Sequence, residues 1–147
     1  MKRVLFLCTH NSARSQMAEG LLRSLGHGEF EVASAGTVAT RVRPEAIAAM
    51  QELGIDISGQ SSKTLQQFLG DEWDEVITVC DSANESCPVF PGAKKRRHWS
   101  VDDPSGVTGS DAERLAAFRR ARDDLKGRME HELLSSSAAT DGATSSL

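Results

Sequence analysis

The sequence is short of three things: long apolar runs, net positive charge and cysteine. No stretch approaches the ~18 apolar residues of a membrane-spanning helix. The N-terminal run Val4-Leu5-Phe6-Leu7 is too short for a signal-peptide core, and polar residues follow at once. No membrane partner is expected, and the expected location is the cytoplasm. The 147 residues carry 17 Lys and Arg against 21 Asp and Glu, a formal net charge of −4. Non-specific nucleic-acid binding needs a basic surface that displaces counterions, so no nucleic-acid partner is expected either. Any anion site must be local. Three cysteines are an odd number for a fixed disulfide framework. In the cytoplasm disulfides are usually transient, catalytic or sensing.

What is present fits one domain. Arg3 to Leu7 reads as a buried strand. Met17, Leu21 and Leu25 share a helical face with Ala18 and Leu22 beside it, and Gly26 and Gly28 can end that helix. Phe30 to Ala33 reads as a second strand, ended by Ser34-Ala35-Gly36. Pro44 opens a helix that Gly54 stops. A short helix is predicted over Thr64–Leu69. Glu75 to Val79 reads as a third strand that delivers Cys80, and Arg97 to Val101 as a weaker fourth. Ser110-Asp111-Ala112-Glu113 has the form of a capping box. Behind it, Leu115, Phe118, Leu125, Met129 and Leu133 form the stripe of a final helix. Strands alternating with helices predict an α/β domain over 1–134, with a four-stranded parallel sheet flanked by helices. Residues 135–147 are Ser, Ala, Thr and Gly with little to bury, and are expected to be a disordered tail. The run Lys94-Lys95-Arg96-Arg97 reads as a solvated surface segment.

Chemistry concentrates in Cys8-Thr9-His10-Asn11-Ser12-Ala13-Arg14-Ser15, a C-x5-R-S loop joining the first strand to the first helix. Helix N-termini present unpaired N–H groups and a positive dipole end, where a tetrahedral oxyanion can sit. Arg14 adds a planar fork of donors with a permanent charge. Asn11 tolerates the positive φ that lets such a loop curl inward. The donors that hold an oxyanion also favour a thiolate at Cys8, and Ser15 can donate to the sulfur. Asp102-Asp103-Pro104 follows the fourth strand, at the edge where parallel sheets gather their loops. Asp103, stiffened by Pro104, is the expected acid for a departing oxygen; on spacing alone Asp102 serves equally. Cys80 should open onto the same edge, and Cys87 lies seven residues on. Three thiols near one oxyanion suggest a thiol–disulfide relay. Structural zinc on Cys80, Cys87 and His98 is disfavoured, because the spacing is wrong and a fourth ligand is missing. No metal or bound cofactor is expected.

Taken together, Cys8 through Gly20, Ser34-Ala35-Gly36, Val79-Cys80, Cys87-Pro88 and His98 through Pro104 resemble the thioredoxin-coupled arsenate reductases. Those proteins share the low-molecular-weight protein tyrosine phosphatase fold. The resemblance spans Val4 to about Leu134. It implies that arsenate binds the amides of Thr9, His10, Asn11, Ser12, Ala13, Arg14 and Ser15 and the Arg14 side chain. It implies that Cys8 attacks arsenic while Asp103 protonates the departing hydroxide, and that Cys80 and Cys87 carry the oxidation to thioredoxin. A monomer is expected. Some members bind potassium at positions matching Asn11, Glu19, Ser34 and an acidic residue. Here the fourth position is Lys63, whose ammonium is expected to replace the cation. The family often has glycine at the position of His10 and cysteine at that of Ala13.

Two other functions use the same residues. A phosphatase needs only Cys8, Arg14 and Asp103, but Ser105 stands where such enzymes carry an aromatic residue, and the chain has no tyrosine. An oxyanion or redox sensor would use the thiols without turnover.

Overall fold

A computed structural model describes residues 2–80 and 90–134. Cys87 and the 135–147 tail lie outside the described residues. The first strand, β1 (Lys2–Cys8), lies inside the sheet. Its side chains alternate between faces: Val4 and Phe6 join one apolar cluster, Leu5 and Leu7 the other, and all four are fully buried. A strand buried on both faces needs a continuous apolar run, which is what this segment has. It pairs in parallel with β2 (Phe30–Gly36) on one side and β3 (Trp73–Thr78) on the other. β4 (Ala93–His98) pairs in parallel with β3, giving the order β2-β1-β3-β4. This is the expected α/β sheet.

Three helices cover the Val4/Phe6 face. α1 (Arg14–Leu25) supplies Met17, Ala18, Leu21 and Leu22; α2 (Pro44–Gln51) supplies Ala46, Ala49 and Met50. α3 (Asp111–Met129) supplies Phe118, Ala121, Leu125 and Met129. Its capping box is formed: Glu113 N–H donates to Ser110 Oγ, and Ser110 N–H to the Glu113 carboxylate. The chain continues past α3 in a π-helical segment, Glu130–Leu134, that buries Leu133. The opposite face of the sheet carries a smaller cluster of Leu5, Leu7, Ala35, Trp73, Val76 and Phe90. The short helix expected near residue 65 is a 3-10 turn, Leu65–Phe68.

β1 and β3 keep to the sequence reading within two residues, and two strands differ from it more. β2 runs on through Ser34-Ala35-Gly36, because its ladder with β1 extends to the pair Cys8 and Gly36. β4 lies at Ala93–His98, not at Arg97–Val101. Trp99 and Val101 are buried but belong to the connection after the strand. The basic run is therefore an edge strand. Its side chains at 94, 95 and 96 are solvated as expected. Lys94 lies against Glu72 and Asp74, while Lys95 and Arg97 reach the buried Glu75. Cross-strand charge pairing here takes the place of apolar alternation.

Candidate active site

The carboxyl ends of β1 and β3 place Cys8 and Cys80 on one edge of the sheet. Cys8 ends β1, and α1 starts at Arg14, so residues 9–13 form a tight loop over the helix N-terminus. Asn11 adopts φ +49°, as its residue type allows. Ala13 precedes α1 without a side-chain cap, and the first turn holds no acidic residue. The positive end of the helix is thus open to an anion. Cys8, 2% exposed, is a free thiol. Its sulfur receives the Asn11 N–H at 3.2 Å and lies 2.7 Å from Ser15 Oγ. The loop crosses directly over the end of β2. A Cβ at Gly36 would stand 2.7 Å from Thr9 O and 2.9 Å from Asn11 N, so only glycine permits this approach.

The hydrogen bonds beneath the sulfur have a determined direction. Lys63 N–H can only donate, and it meets Asn11 Oδ1 at 2.8 Å; Gln16 Nε2 donates to the same oxygen at 2.9 Å. Asn11 Nδ2 must therefore face Ser15 Oγ, at 2.8 Å, and Ser34 Oγ, at 3.0 Å. Ser34 passes its own hydrogen to Glu19 at 2.6 Å. Ser15, which accepts from Asn11, keeps its hydrogen for the Cys8 sulfur. Glu19 is buried, with Arg23 at 2.6 Å and Lys63 Nζ at 3.9 Å. Burial pushes the Lys63 ammonium pKa down, opposed by the Glu19 carboxylate and assisted by Arg23.

This arrangement tests the potassium site that the resemblance implies, and the residues do not fit it. Asn11 Oδ1 already accepts two donors, Ser34 Oγ donates to Glu19, and two cations flank that carboxylate. Lys63 Nζ also donates to Ser61 O at 2.6 Å. Among the described residues, no group of three or more His, Cys, Asp or Glu is placed to share a metal ion.

Arg14 is 3% exposed. Its guanidinium donates to Val101 O at 3.0 Å and stands 3.8 Å from the Asp103 carboxylate. Asp103 accepts Ser105 N–H at 2.9 Å through Oδ1 and directs Oδ2 toward Arg14. Of the two aspartates, Asp103 is the one that stands beside Arg14. It lines a cavity of about 310 Å³ with His10, Ser12, Thr40, Arg41, Arg43, Ser105 and Gly106, which Asp102 does not reach; both aspartates line a further cavity against α3. Cys80 follows β3 on the expected edge, where Val79 N–H donates to Leu7 O at 2.8 Å. It is fully buried and disulfide-bonded. His98 is bonded to Thr78 at 2.7 Å. Gln16 and Gly36 stand in the motifs read from the sequence but have no role there, and Arg41 and Arg43 are not singled out at all. Arg41 and Arg43 approach the loop from positions that no local pattern connects to Cys8.

The family model for low molecular weight phosphotyrosine protein phosphatase matches residues 3–140. The chain is 47% identical to an arsenate reductase of Halalkalibacterium halodurans over 129 residues, covering 88% of this chain and 93% of the relative. It is similar to a solved arsenate reductase in the phosphate binding state, with a TM-score of 0.76 and 41% identity over 89% of this chain and 95% of the other. A thioredoxin-dependent arsenate reductase of Corynebacterium glutamicum matches with a TM-score of 0.70 and 27% identity, covering 95% of this chain and 63% of that one.

Proposed function

The chain belongs to the low molecular weight phosphotyrosine protein phosphatase family and groups with its arsenate reductases, and from this premise we propose that it reduces arsenate to arsenite through a three-thiol relay. The observation that carries the proposal is the Cys8 sulfur, held between the Ser15 hydroxyl and the Asn11 amide at the open N-terminus of α1. Arsenate is held by the N–H groups of residues 9 to 15 and by the Arg14 fork. The Cys8 thiolate attacks arsenic, and the hydroxide that departs takes a proton from Asp103 to leave as water. Arg14, 3.8 Å away, balances the resulting Asp103 carboxylate.

Reduction occurs in the next step. The Cys80 thiolate attacks the Cys8 sulfur, the S–As bond breaks, and its electron pair goes to arsenic, which leaves as arsenite. A Cys8–Cys80 disulfide results. Cys87 then attacks Cys80 and frees the Cys8 thiolate. A dithiol protein reduces the Cys80–Cys87 disulfide, and thioredoxin is the proposed donor. The similarity to a thioredoxin-dependent relative supports that choice. The absence of a membrane-spanning helix among the described residues is compatible with the cytoplasmic location proposed for this chemistry.

Ester hydrolysis at the same loop is the second reading, favoured by the family itself. Ser105 rather than an aromatic residue lines the mouth, so hydrolysis of aryl phosphates is expected to be weak. The deciding experiment follows NADPH loss with thioredoxin, thioredoxin reductase and arsenate, on wild type and on Cys8→Ser, Cys80→Ser and Cys87→Ser. Wild type turns over repeatedly, Cys8→Ser not at all, and the other two at most once. Repeated turnover by Cys80→Ser or Cys87→Ser would falsify the relay. Ester hydrolysis without reduction would make the protein a phosphatase, and neither activity would make it a sensor.

A further inference from the structure

Arg41 and Arg43 lie on the connection between β2 and α2, and their side chains line two cavities, of about 310 and 500 Å³. The backbone that carries them is laced to the Cys8 loop. Val38 N–H donates to Thr9 O at 3.0 Å, Arg43 N–H to Ser12 O at 2.9 Å, and Thr40 Oγ1 to His10 O at 3.2 Å. The backbone around both arginines is therefore fixed against the Cys8 loop.

The carboxylates around them are engaged elsewhere. Arg114 holds Asp111 at 2.9 Å and faces Glu45 at 3.8 Å, and Asp103 faces Arg14. Neither the Arg41 nor the Arg43 side chain has a hydrogen bond or ion pair with a described residue, and Arg43 Nε is buried without a partner. Buried donors in native proteins are satisfied as a rule, so an N–H left open beside an anion seat marks a place for an acceptor. In a chain of net charge −4, two unpaired guanidinium groups at one spot are not a by-product of overall basicity. The smaller cavity falls in the size range of small-molecule pockets, and no Phe or Trp lines it to stack on a flat apolar body.

We propose that Arg41 and Arg43 form a second anion subsite at the mouth of the Cys8 loop. It takes a carboxylate or phosphoryl group borne by the same small molecule whose tetrahedral head enters the loop. This rests on reading the loop as an oxyanion seat. Guanidinium forks suit both groups, because each presents paired oxygens in a plane the fork matches. The preferred ligands are thus small compounds with two oxyanionic ends, over monoesters with a neutral body.

The test uses phosphonates as competitive inhibitors of arsenate turnover by the intact chain. Methylphosphonate offers the head alone, and phosphonoacetamide adds a neutral tail. Phosphonoacetate adds a carboxylate, and methylenediphosphonate adds a second phosphonate. In wild type at least one charged-tail compound binds about tenfold or more tightly than phosphonoacetamide, the effect of one charge-assisted hydrogen bond. Whichever charged tail gains more identifies the group the subsite takes. In Arg41→Ala/Arg43→Ala the ratio falls toward one, and Arg43→Lys keeps part of it. Methylphosphonate affinity in the same variants reports whether the loop itself is intact. Equal inhibition by charged and neutral tails in wild type overturns the subsite, as does a preference that survives the double substitution. If neither inorganic phosphate nor any phosphonate competes with arsenate, the oxyanion seat fails first and the subsite falls with it.

Discussion

Below the Cys8 sulfur, polar groups are matched donor to acceptor through Ser15, Asn11, Ser34 and Glu19, with Gln16 and Lys63 fixing the Asn11 amide. Above it, at the rim, Arg41 and Arg43 have no such partners among the described residues. The first region is assembled before any ligand arrives, so the sulfur and the loop amides need not reorganise during reaction. The second keeps binding capacity in reserve. Substitutions in the floor should therefore lower stability and rate together, while those at the rim should change ligand preference.

The largest effect is expected where the two regions meet. Asp103→Asn should slow arsenate turnover by roughly 10²–10⁴-fold, the usual contribution of a positioned general acid, with oxyanion inhibition little changed. Asp102→Asn, at a residue that does not line the cavity beside the Cys8 loop, should leave turnover within about twofold. Equal losses in the pair would place the acid wrongly. The floor itself is broken by Asn11→Ala, which orphans several buried partners and strains a backbone at φ +49°. A loss of about 2–4 kcal/mol in denaturant unfolding is expected, with reduced turnover. Asn11→Gly relieves the strain but still lacks the amide; full activity there would show that the network does not organise the sulfur.

A smaller effect probes the cation of the floor. The Lys63 ammonium is proposed to stand in for potassium, so wild-type turnover and melting temperature should not distinguish potassium from sodium. Specific activation by potassium would sink that idea. Lys63→Met should cost about 1–2 kcal/mol, tempered by Arg23, which still holds Glu19. The smallest effect lies away from the site, where Arg119 and Arg122 hold Glu52 and lower its pKa from 4.5 to about 2. A depressed carboxylate pKa stabilises the fold above the unfolded value, and that contribution is lost as pH falls through the folded one. Wild type should lose melting temperature between pH 4.5 and 2 more steeply than Glu52→Gln. The side chain is partly exposed, so solvent screening keeps the difference modest.

Much of this was legible in the sequence because it is local. A continuous apolar run announces β1, and Ser110 with Glu113 announces the start of α3. The C-x5-R-S spacing sets Cys8, Arg14 and Ser15 on one strand-to-helix turn. What stayed hidden depends on distant partners. β4 carries cations that pair with carboxylates of and beside β3, so it lacks the alternation that marks a strand. β2 extends past Ala33 because β1 is there to receive it. Pro104 already favours Asp103 in the sequence, but its place beside Arg14 shows only in the fold. Arg43 meets the Cys8 loop through a backbone bond to Ser12, about thirty residues earlier, and Arg41 lies beside it in the chain.

Gly36 gives the site a built-in clearance. The curl of the Cys8 loop is set partly by a neighbour that has nothing to protrude, and a single methyl group there would push on Thr9 O and Asn11 N together. The lever is mechanical and chemically silent: Gly36→Ala would remove no charge and no nucleophile, yet it would act on the seat before any reacting group had changed.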